Sequence, residues 1–193
     1  MKELNRREFL ALTGAAVVAL SLAGCDGGPS APPAPPAAPT SKEAELVAAI
    51  NKVWKKKFDA GEVTHEQLTL NQDAQKGIKI QGGFCENAQE TKHKVTDEEW
   101  EVLDDVARWR ASMRQKYCLA GVAGITQWPS GAEDVVLSLD FEYSCEDADV
   151  LKFVEKLLTV NSDDRNAEFI SVYCPVVQGK TYMIATVFWN KKA

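Results

Sequence analysis

Histidine is the side chain that most often acts as a general base or metal ligand near neutral pH. This chain has only two histidines, His65 and His93, and both stand in polar stretches. Neither has a second histidine or a cysteine at the close spacing that zinc sites use. The sequence also contains no nucleophile elbow, phosphate loop or dinucleotide fingerprint. It therefore predicts no catalytic residue and no metal ligand.

Carboxylates are the more numerous groups with possible chemistry. Asp140 and Glu142 are two residues apart in a segment with strand periodicity, so their side chains are expected on one face, roughly 7 Å apart. Such a pair could bind a cation or serve in acid–base catalysis. The simpler interpretation, which we favour, is the wet face of a sheet. Other acidic groups are Asp104-Asp105, Glu146-Asp147-Asp149 and Asp163-Asp164.

Two tryptophans mark the one place where the sequence suggests a pocket. Thr96 and Glu99 have the spacing of a capping box, which predicts a helix start. An apolar stripe with helical spacing follows, formed by Trp100, Leu103, Val106, Trp109, Met113 and Tyr117. The stripe predicts core packing, and a possible pocket at Trp100 and Trp109 is the alternative.

The first 25 residues have the three parts of a secretory signal. Arg6-Arg7 and Phe9-Leu10 precede an apolar run that is shorter than the roughly 20 residues of a membrane-spanning helix. The run ends in Leu-Ala-Gly-Cys at Cys25. This segment resembles a bacterial twin-arginine signal peptide with a lipobox, although Asn5 and Ala11 depart from the family pattern. The resemblance implies export, cleavage before Cys25 and lipidation of that cysteine, for example with palmitate.

The resemblance also implies an address for the mature protein. Asp26, directly after the lipid site, resembles a retention signal for the inner membrane. We therefore expect anchoring in the outer, periplasmic leaflet of that membrane, or at the cell surface of a host with a single membrane. The formal net charge of −6 argues against nucleic acid as a partner, because phosphate binding needs a basic face.

Four cysteines remain after the lipid site: Cys85, Cys118, Cys145 and Cys174. An even number in an exported domain predicts two disulfides, and the preferred pairing is Cys85–Cys118 with Cys145–Cys174, although sequence alone allows three pairings. A four-thiolate metal or iron–sulfur site is the rival interpretation. No two of these cysteines form the Cys-x-x-Cys pair typical of such sites, so no cofactor is expected.

Composition divides the chain into three parts. Residues 1–24 are the predicted signal peptide, and residues 25–40 are a lipidated cysteine with a linker rich in proline and alanine. Six of the eight prolines of the chain lie in this linker, which favours extended polyproline II structure. Residues 41–193 are predicted to form a single globular domain, whose length is sufficient for a hydrophobic core.

Periodicity predicts the elements of that domain. Helices are expected at 42–58, 64–76, from Thr96 onward, and around 150–158. Strands are expected at 78–80, where Gly82-Gly83 would end the strand, and at 136–143, 168–174 and 181–189. The predicted fold class is α+β: a small, mostly antiparallel sheet of about three or four strands, with helices packed on one face and two disulfides.

The first helix carries a cluster of lysines, Lys52, Lys55, Lys56 and Lys57. This cluster could contact acidic lipid head groups or an acidic partner. A solvated helix face is the interpretation we favour.

These patterns predict an exported, membrane-anchored lipoprotein. Its expected role is non-enzymatic: a binding or accessory subunit of a membrane or periplasmic assembly, with the bilayer and a protein at the membrane as partners. The alternative is a small exported enzyme or redox carrier, with a pocket or a cofactor in the α+β domain.

Overall fold

The structure is a computed structural model and describes residues 41–89, 91–129, 137–159 and 164–191. The described residues contain four α-helices and one 3-10 turn. The helices are α1 (Lys42–Asp59), α2 (Gln72–Ala88), α3 (Asp97–Lys116) and α4 (Asp147–Thr159), and the turn is Asp164–Asn166. None of these helices is long and apolar enough to cross a membrane. The predicted signal peptide, the lipid site and the linker lie outside the described residues and stay predictions, as do the domain boundaries.

Eight short strands complete the described fold: β1 (Thr69–Leu70), β2 (Tyr117–Leu119), β3 (Ile125–Gln127), β4 (Ser138–Leu139), β5 (Phe169–Tyr173), β6 (Val176–Val177), β7 (Lys180–Thr181) and β8 (Ile184–Asn190). A four-stranded sheet has the order β1-β5-β8-β2. Its β5–β8 and β8–β2 pairs are antiparallel, and its β1–β5 pair is parallel. β3 pairs with β4 and β6 with β7, both antiparallel. The predicted α+β class with a mostly antiparallel sheet is confirmed.

The helices cover both faces of this sheet, whereas the sequence predicts helices on one face. On one face, Ala185 and Val187 of β8 pack with residues of α1 and α4. On the other face, Ile184 and Phe188 pack with residues of α2 and α3. Both alternating sets of β8 side chains contain buried apolar residues, so each face must be covered to remove them from water. The structure therefore has two helices on each side.

Helix α2 is the largest departure from the predicted elements. The sequence predicts a helix at 64–76 and a strand at 78–80, but one helix spans Gln72–Ala88 and passes through Gly82 and Gly83. The contacts of two glycines explain the difference. A Cβ atom at Gly77 would lie 2.0 Å from the Trp109 ring, and one at Gly82 would lie 1.9 Å from the Tyr173 ring. These glycines permit close packing of aromatic rings and do not break the helix.

A side chain of α2 also completes the edge of the sheet. Strand β1 covers only the first two residues of β5. Beyond it, the buried Gln75 side chain accepts a hydrogen bond from Val172 N at 3.3 Å and donates one to Val172 O. The amide of Gln75 thus takes the place of a neighbouring strand and satisfies two backbone groups that burial would otherwise leave unpaired.

The third helix begins as the sequence predicts. Glu99 N donates to Thr96 Oγ1 at 3.2 Å, and Thr96 N donates to Glu99 Oε2 at 2.9 Å, which completes the capping box. The helix predicted around 150–158 is also present as α4, with Val150, Phe153, Val154 and Leu157 buried. These two helices show that capping residues and apolar periodicity suffice to predict a helix where the segment has one buried face.

Candidate functional site

None of the four described cysteines, Cys85, Cys118, Cys145 and Cys174, forms a disulfide bond in the structure. Cys85 packs in the core beside α2. In the strand register, Cys118 of β2 lies opposite Trp189 of β8. Its neighbours Tyr117 and Leu119 pack on the side of α2 and α3. Because side chains alternate along a strand, Cys118 points to the opposite face of the sheet. The sheet therefore lies between Cys85 and Cys118.

Cys145 and Cys174 lie on the same side of the molecule. Cys174 is buried in the core against α1 and α4, and the exposed Cys145 donates to Tyr143 Oη at 3.4 Å. Burial, with smaller contributions from the negative charge of Glu43 and from Cys145, raises the pKa of Cys174 to about 12. The two thiols are thus within electrostatic range of each other. The two disulfides and their pairing stay predictions.

The two histidines contact groups that shape the local fold. His93 Nε2 lies 2.7 Å from Glu99 Oε1, and its Nδ1 lies 2.9 Å from Thr91 O. His93 therefore holds the carboxylate of the α3 capping box. His65 Nε2 is 3.6 Å from Glu168 Oε1. In the part of the chain that the structure describes, no three His, Cys, Asp or Glu residues are grouped closely enough to hold a metal ion.

The lysine cluster of α1 faces acidic partners from its own domain. Lys52 and Lys56 bind the two oxygens of Asp147 at 2.8 and 3.2 Å. Hydrogen bonds from these two lysines hold the pKa of Asp147 below its ordinary value. Lys55 pairs with Asp59 and Glu66, and Lys57 pairs with Glu62. The positive charge of the cluster is therefore largely matched within the protein.

The carboxylates Asp140 and Glu142 have separate partners. Asp140 accepts a hydrogen bond from the hydroxyl of Thr126, and Glu142 pairs with Lys180. Both side chains are exposed. The structure thus gives these two acids different contacts and shows no shared cation site between them. The side chains of Asp163 and Asp164 lie outside the described residues.

Two clefts on the surface are formed by described residues. The larger, of about 380 Å³, lies between α1 and α4. Its charged lining residues are paired with one another, Lys56 with Asp147 and Lys57 with Glu62. A cleft whose charges already satisfy each other offers little to a charged ligand.

The second cleft differs in this respect, and we call it the Arg110 cleft. It has a volume of about 220 Å³ and lies between α2, α3 and the segment around β3. Its described lining residues are Gln81, Val106, Arg110, Val122, Ile125 and Trp128. Trp100 and Trp109, the predicted pocket residues, do not line either cleft: Trp100 is 39% exposed, and Trp109 packs against Gly77. The lining residues on α3 are Val106 and Arg110.

Arg110 is a partly buried cation with little compensation. Its Nη2 donates to Ala120 O at 3.4 Å, and it forms no ion pair with a described carboxylate. Burial lowers the pKa of this guanidinium, and the nearby Arg114 lowers it further. A desolvated charge is unfavourable unless it is paired. Arg110 is therefore better suited to binding an anion than to stabilising the free protein.

Gln81 is the second polar residue in this cleft whose hydrogen-bonding capacity is not satisfied by the described residues. Its side chain is 4% exposed, and its Oε1 has no hydrogen-bond partner among the described residues. Gln75, one and a half turns earlier on α2, is also buried but fully bonded to Val172. Gln81 Oε1 is thus a buried acceptor without a donor among the described residues. Trp109 Nε1, whose ring packs against Gly77 one turn earlier on α2, is a buried donor without an acceptor there.

Sequence reasoning did not identify Arg110, Gln81 or Trp128. A weak signal existed for Arg110, because it follows Val106 by one helical turn and so borders the apolar stripe of α3. Nothing in the sequence links Gln81 and Trp128, which come from separate elements. Only the packing of α2 and α3 against the segment around β3 brings the three residues together.

The chain matches no protein-family model, and neither the curated proteins nor the solved structures gave a significant match.

Proposed function

We propose that this protein is an exported lipoprotein, anchored through Cys25, whose domain is a non-enzymatic binding or accessory subunit of a membrane or periplasmic assembly. The observation that carries the proposal is the order of Arg6-Arg7, the apolar run and the lipobox ending at Cys25. Two or more acyl chains on one cysteine hold a protein stably at a bilayer where a single chain does not.

The way the linker joins the domain supports this role. The linker leads into Ser41, whose Oγ accepts from Ala44 N at 3.2 Å and caps α1. The next residue, Lys42, donates to Thr181 Oγ1 at 2.8 Å and lies 5.3 Å from the centre of the Tyr143 ring. The domain is thus folded from the first residue after the linker.

A tether of this kind keeps the domain close to the membrane. At roughly 3.1 Å per residue, an extended linker of this length reaches about 45 Å from the lipid. Confinement to such a shell raises the effective concentration of the domain for neighbouring membrane proteins. A partner at the membrane would then be bound more strongly than by the free domain.

The test of the anchor uses the full chain in a bacterium that has the twin-arginine pathway. We expect the mature protein to begin at Cys25, to carry acyl chains by intact mass, and to sediment with the inner membrane. Cys25→Ser should abolish acylation, and the protein should then leave the membrane fraction. Cys145→Ser is the matched control. Replacing Arg6 and Arg7 by lysine should block export. An unacylated, cytoplasmic parent protein would refute the proposal.

The test of the accessory role uses mild detergent extracts of the same membranes. We expect the mature chain to migrate on native gels in an assembly larger than itself, and Cys25→Ser to lose that migration. The alternative, an enzyme or redox carrier, predicts a different result for the purified protein: visible absorption or bound metal. A colourless protein with the mass of two disulfides would favour the binding role.

A further inference from the structure

We propose that the Arg110 cleft binds a small organic carboxylate that has a flat apolar body and one hydrogen-bond donor. The inference goes beyond the proposed function and does not depend on the lipid anchor. It follows from three features of the cleft: a cation without an ion pair and an acceptor without a donor among the described residues, and apolar walls. Each feature specifies one part of the ligand.

The cation specifies a single carboxylate. A guanidinium presents its N–H groups in a planar fork that matches the two oxygens of a carboxylate. Among the described residues, Arg110 uses this fork for one long hydrogen bond, the 3.4 Å bond to Ala120 O. The cleft contains one arginine in a chain with a net charge of −6, so a ligand with one negative charge fits better than a dianion such as phosphate.

The acceptor specifies a donor on the ligand. Gln81 Oε1 is buried without a hydrogen bond to any described residue, and such groups are rare in folded proteins because burial without a partner is unfavourable. An O–H or N–H group on the ligand would supply the missing bond. A ligand without that group would leave Gln81 unpaired, so the site should discriminate between the two.

The walls specify the size and shape of the body. Val106, Val122 and Ile125 are apolar, and the ring centroid of Trp128 lies 4.9 Å from that of the buried Phe84. The volume of about 220 Å³ corresponds to about seven water molecules, below the range of typical drug-sized sites. One ring with short substituents is therefore the class of ligand that fits, with the indole offering a flat stacking surface.

The test measures binding of defined probes to the full-length protein in detergent by titration calorimetry. The probes are the three hydroxybenzoates and indole-3-carboxylate, which carry a carboxylate and a donor. Benzoate lacks the donor, and hydroxybenzyl alcohol lacks the charge. We expect one-to-one binding of at least one of the first group, weaker binding of benzoate and no binding of the alcohol. Absence of saturable binding by every carboxylate would overturn the proposal.

Two variants assign the binding to this cleft. Arg110→Gln should weaken carboxylate binding by on the order of 10- to 100-fold, because a charge-assisted hydrogen bond is lost. Arg108→Gln is the matched control, since Arg108 lies on the same helix but is exposed and paired with Asp105. Equal losses in both variants, or no loss in Arg110→Gln, would place the binding elsewhere and refute the assignment.

Gln81→Leu supplies a readout that a merely structural residue would not give. The substitution removes the unpaired oxygen, so the free protein should be at least as stable as the parent. It should also abolish the preference for probes with a donor over benzoate. Because export plays no part in this experiment, loss of the anchor in Cys25→Ser should leave the binding unchanged, and the two proposals can fail separately.

Discussion

The glycines of α2 allow a sharp test of how this helix packs. A Cβ added at Gly77 would lie 2.0 Å from two carbons of the Trp109 indole, whereas one added at Gly83 would have no atom within 4 Å. Carbon atoms in contact are normally 3.5–4.0 Å apart. Gly77→Ala must therefore displace the ring or the helix, and Gly83→Ala displaces nothing.

The two substitutions share one favourable contribution and differ in another. Replacing a helical glycine by alanine stabilises by about 1 kcal/mol, because alanine loses less backbone freedom on folding. That gain is the whole effect expected for Gly83→Ala. For Gly77→Ala, overpacking costs about 3 kcal/mol, at the upper end of the usual range, since the contact involves the body of the ring. The expected net result is a loss of about 2 kcal/mol.

Urea unfolding followed by circular dichroism measures both changes in the free energy of unfolding. For a chain of this size, 1 kcal/mol moves the melting temperature by about 2–4 °C, so thermal scans provide a check. A cycle with Trp109→Ala should remove most of the penalty at Gly77, because the clashing ring is then absent. If Gly77→Ala proved as stable as Gly83→Ala, the packing argument for α2 would be refuted.

Three further predictions concern single side chains. Gln75→Leu should lower the free energy of unfolding, measured with urea, by about 2–5 kcal/mol, because it leaves both backbone groups of Val172 buried and unpaired. A loss below about 1 kcal/mol would contradict the role assigned to Gln75. Asp147→Asn should lower stability at pH 7 but not near pH 2, because a depressed pKa contributes stability that is present above the ordinary value of 3.8 and disappears as the pH falls. Burial and the charge of Glu86 raise the pKa of Tyr173 to about 12, so stability should fall between about pH 10 and 12, and less steeply in Tyr173→Phe.

Sequence patterns predicted the helices whose apolar stripe meets one neighbour. α1 and α4 each bury one face against the same core, and α3 begins at its capping box. The same reasoning was wrong for α2, because glycine is read from sequence as a helix breaker. At Gly77 the reason for glycine is a ring from another helix, which no local pattern reveals.

The candidate site was less predictable than the fold. The sequence pointed to the helix of Trp100 and Trp109, and the Arg110 cleft does adjoin that helix. It did not point to the lining residues, since α2, α3 and the segment around β3 are far apart in the chain. The two buried glutamines, Gln75 and Gln81, also look alike in sequence. Only their neighbours make Gln75 a structural bridge and leave Gln81 Oε1 without a donor among the described residues.

The sequence by itself determined the properties that act locally along the chain. Capping pairs, apolar periodicity and alternation operate over a few residues, so they predicted α1, α3, α4 and the antiparallel class of the sheet. The tertiary structure alone decided which faces the helices cover, why α2 continues through its glycines, and which polar groups remain unpaired in the Arg110 cleft. Those properties depend on contacts between distant segments, and burial and pairing are defined only once the segments meet.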